Sequence, residues 1–413
     1  MTMKQWARAV LACGAVCGAV CSAVCGIVLL GGCASKGEHS GLGAIDNPRL
    51  QRAMMKLRQG ETISVVSIGG SITSGHQAVP ADSAGWSGLV NQWWQAKAKE
   101  TGGTVNYRNS GVSGTDSAFA SIRVKDHVLA YNPDVVFVEF AMNDQWLSVR
   151  VRQRSYEGAL RQLLNDSERA VILLAVNEKA NPDKSARANQ EKIGDYYGLP
   201  TLAWADWVKP ADWDRYFSGS ETIHPNNEGH ANIAAGVTRY LDVAWNSPPS
   251  KIPPIDTTLP QALVSAEFQN VRFISGSDTD YLASDIESSG WTAKKATLPG
   301  EWKKSGGEDI IGWTTNDPNA DLAIKVMGKS VGVLFIESDQ FRNGEAWIEE
   351  IDAWRSINSY VSYRSGYYGY AYAEIADNLE AGKEYTLHLY VEQDDEEREG
   401  ASIDVIGVIC TAQ

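Results

Sequence analysis

The sequence predicts an α/β domain, built on a parallel sheet covered on both faces in three layers, followed by an antiparallel β-sandwich of jelly-roll-like kind. Three observations carry that expectation. Between Thr62 and about Trp245, short β-branched runs alternate with longer segments of helical spacing, the pattern of strands joined by crossover helices. From residue 261 to 413 apolar positions recur every second residue, as in "SVGVLFIES", "GEAWIEEID", "YTLHLYVEQ" and "ASIDVIGVIC", which is the spacing of strands with one buried face. Between the two, "NSPPSKIPPIDTTLP" holds five prolines and cannot continue a helix, so 247–260 reads as a stiff linker.

The α/β half, 59–246, runs in order through "ISVVSI" (strand), "GWSGLVNQWWQAKAKETG" (helix ending at glycine), "VNYRNSG" (strand) and "DSAFASIRVKDHVLAYNPD" (helix). "DVVFVEFAMND", "YEGALRQLLNDS", "AVILLAVNE", "ANQEKIGDYYGLP", "TLAWADW" and a last helix, "NNEGHANIAAGVTRYLDVAW", complete it. Ligands of such sheets bind beyond the carboxyl ends of the strands. The loops after "ISVVSI", "VNYR", "VVFVEF" and "TLAWADW" are therefore the places to search.

In the sandwich half, "SYVSYRSGYYGYAY" contains six tyrosines. Alternating tyrosines fill a half-buried sheet face or offer rings to sugars. "EQDDEEREG" reads as a solvated hairpin tip, with a calcium site as the lesser alternative. The tryptophans, 14 in all, are expected mainly in the core.

At 413 residues and 43% hydrophobic content, the chain is ordinary globular protein. A formal charge of −14 speaks against nucleic acid as a partner, because such binding relies on Lys and Arg set against phosphates. Lys4 and Arg8 precede an apolar stretch from about Ala9 to Leu30, and "LLGGCAS" follows. This resembles the bacterial lipobox, which implies removal of 1–32 as a signal peptide and acylation of Cys33 as the mature N-terminus. An uncleaved apolar anchor is the alternative. Residues 33–58, opening on "ASKGEHSGLGAIDNP", then read as a flexible tether, and the protein is expected at the bacterial cell envelope, facing periplasm or exterior, held to the membrane through lipidated Cys33. Cys13, Cys17, Cys21 and Cys25 repeat every four residues as metal ligands on a helix would, but they lie inside the leader. With them gone only Cys33 and Cys410 remain, so no disulfide framework is expected.

The loop "SIGGSITSG" lacks the lysine and spacing of a P-loop, the G-x-G-x-x-G fingerprint and the G-x-S-x-G elbow. What is left is Ser71 at the end of the first strand, by itself a turn or cap residue. Its partners come from the other loops. "YRNSGVSGTDS" supplies Gly114, whose bare backbone N–H suits a developing oxyanion. "VEFAMNDQ" supplies Asn143, a side-chain amide able to do the same. "GSETIHPNNEGH" supplies His224 before the last helix, with Glu221 three residues upstream. Nucleophile, oxyanion donors, base and acid thus fall at one sheet edge. His76, five residues from Ser71, competes for the base more seriously than His39, His127, His230 or His388.

The blocks "GGSITSG", "NSGVSG", "MNDQ" and "ExxHPN" resemble the SGNH, or GDSL-type, hydrolase family over residues 60 to 246. That resemblance implies a flavodoxin-like sheet, Ser71 as nucleophile, Ser71, Gly114 and Asn143 as oxyanion donors, and His224 as general base. The match departs at two positions. Gly70 stands where the family commonly has Asp, and Glu221 where it commonly has the Asp of D-x-x-H. Glu221 can still accept the imidazole N–H; a Ser–His dyad oriented by a backbone carbonyl, Asp212 or Asp214 is the alternative.

The expected reaction is ester hydrolysis through an acyl-enzyme, with no metal or organic cofactor. The sandwich resembles the partner domain of a carbohydrate esterase family, although there it usually precedes the catalytic domain. This implies an acylated, and in particular O-acetylated, carbohydrate substrate. The alternatives are a lipid or aryl esterase or thioesterase of the same fold, and a catalytically silent glycan-binding lipoprotein. Oligomeric state is not indicated.

Overall fold

The β-branched runs of the first half form a sheet because their flanking helices bury both of its faces. The computed structural model describes residues 47–177, 186–276, 285–296, 309–362, 368–392, 398 and 400–411. Strands β1 (Thr62–Gly69), β2 (Thr104–Gly111), β3 (Val135–Glu139), β4 (Ala170–Ala175) and β5 (Thr201–Ala203) lie in the order β2-β1-β3-β4-β5, all parallel. This is the doubly wound order in which a crevice opens between β1 and β3. The helices are α1 (Pro48–Arg58), α2 (Ser71–Ser74), α3 (Ala81–Ala84), α4 (Trp86–Thr101), α5 (Ser117–His127), α6 (Ala141–Asp144), α7 (Val149–Leu164), α8 (Arg187–Tyr196) and α9 (Asn227–Asn246). Val65, Phe137, Ile172 and Leu174 pack with α1, α4 and α9 on one face. Val66, Ile68, Val138 and Leu173 pack with α5, α7 and α8 on the other. Every residue of β3 and β4 is buried, which is why those strands read as continuous apolar runs.

One boundary needs correction. Residues 48–58 are not part of a tether but form α1, whose Leu50, Met54 and Leu57 are fully buried. The signal was present: Leu50, Ala53, Met54 and Leu57 recur at helical spacing, Asn47 caps by accepting the Leu50 N–H, and Pro48 opens the helix. Residues 1–46, with the leader, its cysteines, Cys33 and the rest of the tether, lie outside the described residues. No helix among the described residues is long and apolar enough to cross a membrane.

The proline-rich segment is tied to the α/β half toward its C-terminal end. Arg49 Nη2 donates to Asp256 O at 2.8 Å and Arg161 Nη1 to Pro260 O at 2.8 Å. The buried Glu157 carboxylate then accepts the N–H groups of Leu263, Val264 and Ser265 at 2.6, 2.7 and 2.9 Å. Next, Phe268 closes over Gly158, where a Cβ would fall 2.3 Å from the phenylalanine. Charge-assisted hydrogen bonds and a buried ring fix how the second half begins.

That half is a sandwich of antiparallel strands: β6 (Val271–Ile274), β7 (Ile286–Ser289), β8 (Thr292–Lys295), β9 (Ile311–Thr315), β10 (Asp321–Val326), β11 (Val331–Ser338), β12 (Gly344–Ile348), β13 (Ala353–Ile357), β14 (Tyr368–Ala376), β15 (Tyr385–Val391) and β16 (Ile403–Thr411). One sheet runs β13-β12-β15-β10-β7; the other runs β14-β11-β16-β9-β8, with β6 on β16. Leu322, Ile324, Val333, Phe335, Leu387 and Val405 fill the space between them.

The outer face of the second sheet packs on the α/β half. Leu334, Ile336, Tyr370 and Ile406 join Val112 and Phe119, and the Phe119 and Tyr370 rings lie 4.8 Å apart. Arg154 of α7, nearly buried, is held by Glu374 at 2.6 Å, by Glu267 and by Ser330 Oγ at 3.1 Å. Tyr370 and Tyr372 of the tyrosine-rich segment therefore serve this junction; 363–367 of that segment, and 393–397 of the acidic tip, lie outside the described residues.

Candidate active site

The crevice between β1 and β3 collects the residues picked from the sequence. Gly70 follows β1 as the cap of the short turn α2, which Ser71 begins, with Ser71 7% exposed. Its Oγ lies 2.9 Å from His224 Nε2. On the far side of that ring, Nδ1 faces Glu221 Oε2 at 3.3 Å. Together these partners fix the tautomer: Nδ1 carries the proton toward the carboxylate, and Nε2 is left to accept from the serine.

Glu221 is built into its loop. Its Oε1 accepts the N–H groups of Thr222, Ile223 and His224 at 2.9, 2.8 and 3.2 Å. Burial alone raises this carboxyl, but the Ile223 and His224 N–H groups and the neighbouring imidazole outweigh it and hold it down at about 2. A carboxylate so fixed stays ionised and aimed. The extra methylene relative to Asp is taken up by this wrap of Oε1 over the loop.

The loops that carry Gly114 and Asn143 adjoin the serine loop. Gly114 has φ +75, the left-handed region that favours glycine. Its loop is tied to the serine loop by Ser113 Oγ on Ser74 Oγ at 3.1 Å and by the buried Arg123, which donates to Ser110 O at 2.6 Å and Gly69 O at 2.8 Å. Asn143 lies on α6, beyond β3. Its neighbour Asp144 anchors that turn by accepting Ser117 N–H and Gln190 Nε2, each at 2.8 Å; burial and nearby Asp116 raise the Asp144 carboxyl well above its usual range.

Residues 67–231 match the model of the GDSL-like lipase/acylhydrolase family. The α/β domain belongs to that family. No curated protein sequence matches the chain. In fold, the chain is similar to a two-domain esterase active on acetylated mannans, at a TM-score of 0.75 and 20% identity over 88% of this chain and 95% of that one. A second structure of that esterase, co-crystallised with mannopentaose, matches at a TM-score of 0.73 and 20% identity, with the same coverage of each chain.

Within this acylhydrolase domain the departure at Gly70 has a local cause. A Cβ on residue 70 would lie 2.3 Å from Asn143 Oδ1, so glycine lets the Asn143 amide close over the serine loop. That oxygen is buried with no donor among the described residues.

Sequence reasoning passed over the supports beneath the acylhydrolase site. Glu139, fully buried at the end of β3, accepts from Thr73 Oγ1 at 3.0 Å and from Gly70 N–H. Burial pushes its carboxyl up to about 7 against those hydrogen bonds. The one signal for it was an acid closing an otherwise apolar run, "VVFVEF". His230 accepts the Trp86 N–H at Nδ1 and donates from Nε2 to His76 O, and burial pushes it down to about 4. It holds the loop that lays the exposed His76 ring 4.2 Å from the His224 ring. His76 therefore lies beside His224, whose Nε2 is the ring nitrogen set against Ser71 Oγ.

Proposed function

We propose that this acylhydrolase is a serine esterase that removes O-acyl groups, O-acetyl in particular, from polysaccharide or oligosaccharide through a Ser71–His224–Glu221 triad. The observation that carries the mechanism is the line from Ser71 Oγ to His224 Nε2 at 2.9 Å and from Nδ1 to Glu221 at 3.3 Å. His224 takes the Ser71 proton as Oγ attacks the ester carbonyl carbon. Glu221 stabilises the imidazolium and keeps its orientation. The tetrahedral oxyanion is received by the N–H groups of Ser71 and Gly114 and by the Asn143 side chain. His224 then gives its proton to the leaving sugar hydroxyl. In the second half-reaction it deprotonates water, which attacks the acyl-serine, and it then returns that proton to Ser71 Oγ as the serine leaves and the acid is released. These residues supply every proton and charge that the reaction needs.

The choice of carbohydrate is supported by likeness of the whole two-domain architecture to an esterase active on acetylated mannans. The lipobox-like "LLGGCAS" supports placement at the cell envelope through Cys33, which a Cys33→Ser protein found free of the membrane fraction would bear out. For the activity, the wild type is expected to release p-nitrophenol from p-nitrophenyl acetate and acetate from acetylated mannan. Ser71→Ala is expected to lower turnover by about 10⁴-fold or more. Equal rates for the two proteins end the triad proposal, and preference for long-chain esters over acetylated glycans ends the carbohydrate assignment.

A further inference from the structure

The open face of the sandwich carries an ordered group of rings that neither the core nor the active site uses. It lies on the sheet β13-β12-β15-β10-β7, whereas the other sheet packs on the catalytic half. Trp347 and Trp354 are directly paired across β12 and β13, and Trp347 is paired with His388 across β12 and β15. The indoles stack at 5.3 Å between centroids and 19° between planes. Trp354 also lies over Tyr390 at 6.1 Å and 25°, and His388 lies beside Tyr390 at 5.9 Å and 5°.

The rings are pinned although they are not enclosed. Both indole N–H groups donate to the same Asp352 Oδ1, each at 3.1 Å, from a turn where Asp352 has φ +48. His388 Nδ1 sits 3.0 Å from both Asp321 oxygens. Trp354 remains 47% exposed. Rigid, solvent-facing aromatic surface with fixed polar neighbours is what a ligand platform requires, since little side-chain entropy is left to lose on binding.

The surroundings select the ligand. Asp321, Glu345, Glu349 and Asp352 ring the group, which repels polyanions and offers acceptors to hydroxyl donors. Near-parallel rings make a slab, whereas a quaternary ammonium is recognised by faces converging into a cage. A pyranose has what the slab can take: an apolar C–H face to lie on the rings and hydroxyls to reach the carboxylates.

We infer that Trp347, Trp354, His388 and Tyr390 form a glycan-binding platform for neutral polysaccharide chains, separate from the catalytic crevice. The proposal leans on the esterase reading only for the choice of polymers to try. Binding is measured on the full chain carrying Ser71→Ala, by affinity electrophoresis in gels containing glucomannan, xylan or polygalacturonate, so that no result depends on turnover. A neutral polymer is expected to retard the protein and polygalacturonate is not. Adding Trp354→Ala is expected to weaken retardation about tenfold or more, Trp354→Phe to keep most of it, and Tyr390→Ala to weaken it with the melting temperature held. Unchanged retardation in folded Trp354→Ala protein overturns the platform and leaves the rings as hairpin-stabilising pairs. Absence of retardation by both neutral polymers, or preference for polygalacturonate, also overturns it. Failure of the wild type to hydrolyse esters would instead sink the catalytic proposal and leave this one standing.

Discussion

Among the described residues, each half of the chain holds a histidine–carboxylate pair. His224 faces Glu221 at 3.3 Å in a loop at the carboxyl edge of the parallel sheet, and His388 faces Asp321 at 3.0 Å on a sandwich strand. Judged by the pair alone, the second is the shorter. The difference lies at the other nitrogen. His224 Nε2 meets the hydroxyl of Ser71, while the His388 ring is sandwiched among Trp347 and Tyr390. A carboxylate-held imidazole becomes a base only where a third group waits for the proton, and crossover topology supplies that group by bringing separate loops to one edge.

The largest way to break this comparison is at the acid. If Glu221 merely braces a loop, as Asp321 braces a ring, Glu221→Gln is expected to leave turnover of p-nitrophenyl acetate near normal. The triad reading expects a fall on the order of 10⁴-fold in kcat with little change in KM. The sign of the pH dependence follows from the same group. Its carboxyl is held at about 2, below its ordinary 4.5, so its contribution to stability is fully present above pH 4.5 and is lost progressively as pH falls from there through about 2. Between pH 5 and 3 activity is therefore expected to show no loss assignable to Glu221, which stays ionised in the folded protein, while denaturant titrations over the same range are expected to show its contribution to stability declining.

A smaller effect tests whether the edge, and not the pair, makes the site. Asn143→Ala is expected to lower kcat by about 10²–10³-fold with the protein folded, the loss of one oxyanion donor. An unchanged kcat removes Asn143 from the oxyanion hole.

The smallest effect concerns the buried support under Ser71. Glu139, with its carboxyl raised to about 7 and Tyr156 and Asp144 nearby, binds its proton more tightly folded than unfolded. Stability from this group is fully present below pH 4.5 and is lost as pH rises through about 7. Denaturant titrations at pH 5 and pH 8 are expected to differ by on the order of 1–3 kcal/mol from this source. Glu139→Gln is expected to shrink that difference; the same pH dependence in both proteins would show that Glu139 is not its origin.

Much of the catalytic half was legible because its signals are local. β-branched runs, helix periods and glycine-ended loops mark each element, and the order of elements dictates which loops share an edge. Ser71, Gly114, Asn143, Glu221 and His224 followed from that order. The boundary at Pro48 was missed where a polar, glycine-rich lead-in drew attention from the spacing of Leu50, Met54 and Leu57. The sandwich was legible as alternating strands, but alternation has two faces and does not say which one meets another domain. The tyrosines of β14 turned to the junction with Phe119, while Trp347 and Trp354 stand apart from the expectation that tryptophans lie mainly in the core.

By itself, then, the sequence determined the two architectures and which loops, with which residues, lie at the sheet edge, because periodicity and chain order need only neighbours along the chain. The tertiary structure decided what depends on residues far apart meeting in space. It set His224 Nε2 against Ser71 Oγ, 153 residues away in the chain, closed the Asn143 amide over Gly70 from the turn beyond β3, and chose which sandwich face would be covered. Such choices rest on distances and desolvation between segments 70 to 250 residues apart, and no local pattern encodes them.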